Sequence, residues 1–130
     1  MNPETKLARD LAVMLAGGLF LASGFGFGQR WVLESRDGVA APPATITFRE
    51  KRRRQDEVTV VTACNTYDAA YSRFLGQMTI ETLSHVPRDC VDQDRPLLDA
   101  LERTRRYHFE GETLLLETSD GHSLVLRHAA

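Results

Sequence analysis

Thr62-Ala63-Cys64-Asn65-Thr66-Tyr67-Asp68-Ala69-Ala70-Tyr71 joins a strand-like run to an irregular segment and holds one of only two cysteines in the 130-residue chain. The residues leading into it, Val58-Thr59-Val60-Val61-Thr62, are β-branched and suit a strand. The stretch therefore reads as a corner, where one strand ends and the chain turns. Asn65 there is suited to satisfying backbone groups in a turn. Tyr67 and Tyr71 are expected to pack with their hydroxyls at the surface.

Upstream, Thr45-Ile46-Thr47-Phe48-Arg49 alternates strictly, with Ile46 and Phe48 facing inward. Between it and the next strand lies a tip with five basic residues in six from Arg49 to Arg54, so the pair reads as a hairpin with a long loop. Gln29 to Ser35 reads as the first strand, with Arg36-Asp37-Gly38 as a turn and Pro42-Pro43 as an extended connection. Downstream, Tyr71 to Leu75 and Gln77 to Thr82 read as two short strands broken at Gly76, followed by a polar loop from His85 to Asp94. Asp94-Arg95-Pro96 opens a helix, with Asp94 placed to cap its first amides. Leu97, Leu98 and Leu101 give that helix an apolar face, and Arg103, Arg105 and Arg106 suit its C-terminal dipole end. Tyr107 to Glu110, Thr113 to Thr118 and Ser123 to His128 complete the strands, with Asp120-Gly121 as the strongest hairpin signal.

These elements predict an α+β fold, mostly β. The expected form is a small cracked or open β-barrel, or a curved antiparallel sheet, of about seven or eight strands with one helix packed against it. An apolar N-terminal helix is expected to precede it. Leu11 to Gly28 carries no charge and follows Lys6 and Arg9, which resembles an export signal, with Ala22-Ser23-Gly24 as a candidate cleavage site. The rival reading is a retained membrane anchor, for which the run is slightly short. Residues 1–28 are thus expected to be a signal peptide or anchor, and residues 29–130 the domain. The net charge of −2 gives no global field toward nucleic acid.

The order of motifs resembles the META domain family, also called HslJ-like. Trp31-Val32-Leu33 matches its opening, Thr45 to Phe48 the following strand, and Cys64-Asn65-Thr66-Tyr67 ending in Tyr71 its central signature. Cys90, the helix from Leu97, Tyr107, Gly111 and Leu114 to Leu116 follow in the same order. Ala63 and Ala69 stand where the signature has glycine, which predicts less extreme backbone angles there. The resemblance implies a small exported bacterial domain with no defining catalytic activity and a likeness to lipid-binding pilotins. Members are linked loosely to heat shock, antibiotic tolerance, motility and secretion. Trp31, Asn65, Tyr67 and Tyr71 are its structural signature here, and no cysteine follows the apolar run to take a lipid.

Candidate chemistry is sparse. An even cysteine count in an exported chain favours a Cys64–Cys90 disulfide over two buried free thiols. His85, His108, His122 and His128 show no metal-ligand spacing and no tie to a cysteine nucleophile. Asp89, Asp92 and Asp94 read as capping and solvation rather than acid–base machinery, and no phosphate-binding glycine loop follows a strand. Lys51-Arg52-Arg53-Arg54 reads first as a solvated tip and second as a contact for anionic headgroups or an acidic partner. No cofactor, metal or nucleic acid is expected. The expected function is a non-enzymatic envelope protein, periplasmic or anchored facing the periplasm, in stress tolerance. Its unidentified partner is an envelope protein or a lipid. The alternative is a pilotin-like carrier holding a hydrophobic ligand in the barrel.

Overall fold

In the computed structural model, residues 28–51 and 55–129 are described. Strands form where inward apolar and outward polar residues alternate. They are β1 (Arg30–Arg36), β2 (Val39–Ala40), β3 (Ala44–Arg49), β4 (Asp56–Thr62), β5 (Thr66–Phe74) and β6 (Gln77–Ile80). The helix α1 (Val91–Glu102) follows, then β7 (Thr104–Glu110), β8 (Thr113–Thr118) and β9 (Ser123–His128). All pairings are antiparallel, and β1, β3, β4, β5, β6, β7, β8 and β9 follow one another round a ring that β1 closes by pairing with β9.

The barrel is therefore closed, where a cracked or open one was expected. Closure depends on β1 serving three neighbours. Arg30 to Val32 pair with β3, Ser35 and Arg36 pair with β2, and the whole strand runs along β9. A register shift between Leu33 and Ser35 lets the strand bend between these duties. The thinnest joint is β6–β7, where Gln77 opposite Arg106 is the one ladder pair. The expected apolar N-terminal helix falls within residues 1–28, of which residues 1–27 lie outside the described residues.

The interior is filled. Trp31, Ile46, Phe48, Val58, Val60, Tyr67, Leu101, Leu114, Leu116, Leu124 and Leu126 are fully buried. Helix α1 lies across one end of the ring, burying Leu97, Leu98, Ala100 and Leu101 against it. The turns β1–β2, β4–β5 and β8–β9 are at that end. The β3–β4 connection, the β5–β6 and β7–β8 turns and both ends of the described chain are at the other.

Local expectations fail in three places. The corner does not leave an irregular segment: β5 starts at Thr66 and runs for nine residues through Phe74, because its inward positions are Tyr67, Ala69 and Tyr71. The helix starts at Val91 rather than at Asp94, with Cys90 at the N-cap and no side-chain cap bond. It ends at Glu102, so its last turn holds no basic residue, and Arg105 and Arg106 belong to β7. Arg105 occupies a bulge in β7, from which its guanidinium donates to the carbonyl of Glu102 at 3.0 Å. It thus serves the helix end from a strand.

Candidate functional site

The signature residues do not form one site. Trp31 lies in the core against Phe109 (ring centroids 5.9 Å) and His128 (5.7 Å). Among the described residues its indole nitrogen has no hydrogen-bond partner. Tyr71 stacks edge-on against Phe48 at 5.0 Å nearer the mouth. Cys64, Asn65 and Tyr67 gather at the helix end of the barrel, where the corner is built.

That corner is a short β4–β5 turn held mainly by side chains. Thr62 Oγ1 accepts from the amides of Cys64 and Asn65, each at 3.1 Å. Asn65 Oδ1 accepts from the Thr66 amide at 2.8 Å, and its side-chain amide donates to the Val86 carbonyl at 2.7 Å. Asn65 thus satisfies backbone groups, as its position predicts, and it also fastens the loop that leads to the helix. Cys64 and Cys90 are disulfide-bonded with their Cα atoms 6.0 Å apart, as expected from the cysteine count. Ala63 and Ala69 keep negative φ, in line with the loss of glycine there.

Asp94 completes the corner, and sequence reasoning missed that role. Its Oδ2 accepts from Thr62 Oγ1 at 2.7 Å and from Tyr67 Oη at 2.5 Å. The first turn of α1 is thereby pinned to the hairpin, and the carboxylate also suits the positive helix end. Tyr67 and Tyr71 are both buried, contrary to the expectation of surface hydroxyls. Burial, followed by the bond to Asp94, pushes the Tyr67 phenol up to about 12. Burial, then the charges of Glu50 and Asp56, raises Tyr71 as well. No sequence signal links Tyr67 to Asp94, because the pair lies 27 residues apart with most of β5, β6 and a loop between them.

The opposite end is the mouth. Arg73 reaches across it, donating from Nε to Glu50 at 2.7 Å and from Nη1 to Tyr107 Oη at 3.4 Å. Of the basic run, Lys51 is ion-paired with Glu57 at 3.0 Å, while Arg52, Arg53 and Arg54 lie outside the described residues. A surface groove of about 490 Å³ runs over the β6–β7 joint, lined by Leu75, Gln77, Arg106, Tyr107, His108 and Leu115 among others. A second groove, of about 290 Å³, lies between the helix and the β1–β2 and β8–β9 turns. In it His122 meets Asp37 at 2.8 Å, and the Ser123 amide, then His122, hold the Asp37 carboxyl below its usual range. By contrast, the cavity behind Pro42 and Pro43 holds only about 40 Å³.

Among the described residues, no cluster of three or more histidines, cysteines or carboxylates is arranged to hold a metal ion. Among them, too, no helix is long and apolar enough to cross a membrane. His108 is exposed beside Glu110, and His85 sits edge-on to Tyr67 at 5.1 Å.

Fold and corner together define a small closed antiparallel barrel, plugged by one helix and stapled there by a disulfide. The chain belongs to the META domain family, whose pattern it matches over residues 25–130. Its fold is similar to that of a DUF4847 family protein from Bacteroides vulgatus ATCC 8482, with a TM-score of 0.62 at 13% identity, over 79% of this chain and 94% of that one. A protein from Burkholderia xenovorans is similar at TM-score 0.61 and 19% identity, over 88% and 95% of the two chains. No curated protein matches the sequence.

Proposed function

We propose that the protein is an exported, non-enzymatic component of the cell envelope that works through its outer surface and supports envelope integrity under stress. The filled barrel carries this reading. Trp31, Phe48, Tyr67, Tyr71 and Met78 leave at most 2% of their surface exposed, and the leucines of β8 and β9 close the remaining space. Pockets that hold a small organic ligand measure about 300–1,000 Å³. The two grooves of that order, about 490 and 290 Å³, lie on the surface rather than in the barrel interior. The Cys64–Cys90 disulfide supports an oxidising compartment. The uncharged run from Leu11 to Gly28 supports export or anchoring.

Native mass spectrometry of protein purified without detergent tests the filled-barrel reading against a carrier. The expected spectrum contains the bare polypeptide. A stoichiometric lipid adduct that survives gentle activation would overturn the proposal in favour of a pilotin-like carrier.

A further inference from the structure

We infer that the β5–β6 tip, Phe74 and Leu75, is a membrane-inserting wedge, and that the barrel turns its mouth toward a lipid bilayer. Phe74, 73% exposed, ends β5, and Leu75, 82% exposed, follows it as the first residue of a two-residue hairpin turn. Scattered exposed apolar residues are ordinary; two adjacent large ones on a protruding tip are not.

The backbone makes the case stronger. Leu75 has φ 47°, in the left-handed region that favours glycine, asparagine and aspartate. Gly76 follows at φ 84°. The β1–β2 turn has the same pattern, Asp37 at φ 54° and Gly38 at φ 81°, with the residue types that such hairpin turns prefer. Leucine at position 75 therefore costs folding free energy, and at its exposure it recovers little of that by packing. A residue that burdens the fold and points into water is explained by what it meets outside the fold.

The position of the tip selects a bilayer as its partner. β1 begins at Arg30, and Gly28 precedes it at the mouth, so the uncharged run Leu11 to Gly28 joins the barrel at the same end as the tip. Arg73 immediately precedes the apolar pair, and Arg106, opposite Gln77, lines a groove with Leu75 and Tyr107, whose hydroxyl accepts from Arg73; cations and an aromatic ring beside an apolar tip suit the headgroup layer. Glu50 binds Arg73, so insertion of the apolar pair, rather than net charge, supplies the attraction. This rests on the proposed location only for which membrane is met; binding to vesicles is independent of it.

The test uses the full chain with Phe74→Trp as reporter. Trp31, the chain's one tryptophan, is fully buried and provides a constant background that the unsubstituted protein measures. With vesicles of phosphatidylethanolamine and phosphatidylglycerol, the reporter emission is expected to shift to the blue and to be quenched by brominated acyl chains. Adding Leu75→Asn should keep or raise Tm, because asparagine accepts the left-handed backbone, while most of the quenching is lost. A reporter that stays water-like when the chain is on vesicles overturns the inference, even if residues 1–28 tether the protein. A blue shift that appears without vesicles and grows with protein concentration also overturns it, and gives the tip to a second copy of the chain.

Discussion

Tyr67→Phe separates the corner's hydrogen bonding from its packing. The substitution keeps the ring, and with it the edge contact to His85 at 5.1 Å. It removes the bond from Tyr67 Oη to Asp94 Oδ2 at 2.5 Å. Hydrogen bonds to charged groups contribute about 1.5–3 kcal/mol. Asp94 retains Thr62 Oγ1 at 2.7 Å, so its carboxylate is not stranded. The expected loss is therefore in the lower part of that range, about 2 kcal/mol. Asp94→Ala removes the acceptor for both hydroxyls. In that background Tyr67→Phe should cost little, giving a coupling of about 1.5 kcal/mol in the double-mutant cycle. Urea denaturation at pH 7 measures all four proteins, with parallel slopes expected because the exposed surface hardly changes. Costs that add to within about 0.5 kcal/mol would refute the shared bond.

Burial of Tyr67, reinforced by the same bond, sets an alkaline limit. The folded Tyr67 phenol lies at about 12 against an ordinary 10.0, so the folded state favours the protonated form. That contribution is complete below pH 10 and is lost as pH rises through about 12. Two units correspond to roughly 3 kcal/mol. Tyr67→Phe should flatten part of this limb, and Tyr71, raised in the same direction, should retain the rest.

Three further outcomes bear on the staple and the plug. Cys64→Ala with Cys90→Ala should lower stability by about 3.5 kcal/mol on the loop-entropy relation for a 26-residue separation, and a loss under about 1 kcal/mol would contradict a constraining staple. Unreduced, denatured protein should show no reactive thiol by quantitative labelling. Leu101→Ala, at a fully buried position on α1, should cost about 2–5 kcal/mol by thermal or urea unfolding. A near-neutral result there would mean that the helix does not plug the barrel.

Much of the β framework was legible because its signals are local. The alternation of Ala44–Arg49 and the β-branched run within Asp56–Thr62 needed no tertiary information. Asp120-Gly121 was legible as a turn for the same reason. The cysteine pair and the family were legible too, the latter through motif order. Ring closure was not, since nothing within Arg30–Arg36 indicates that one strand will serve three neighbours. Asn65 to Asp68 resembles a turn by composition, yet most of it is strand, because Tyr67 has an interior to fill and an acceptor in Asp94. The helix start was missed because cysteine is not a capping residue, and here a covalent bond holds the position that a side-chain cap would fill. Arginines 105 and 106 matched a helix end by charge, but the bulge that places Arg105 beside that end is a property of the β7–β8 register.

Ring closure also bears on how the chain reaches its fold. The hairpins from β3 to β6 and from β7 to β9 join neighbours in sequence, and they can form while much of the chain is still loose. The final seam joins the first strand to the last, and across it Gln29 and His128 share a hydrogen bond although 99 residues separate them. Pairings between distant segments slow folding, since their loop entropy is spent before their contacts form. A chain delivered N-terminus first would keep Trp31 uncovered until the six residues of β9 arrive. The timing of ring closure is thus set by the arrival of β9, and the barrel stays open until that strand has been made.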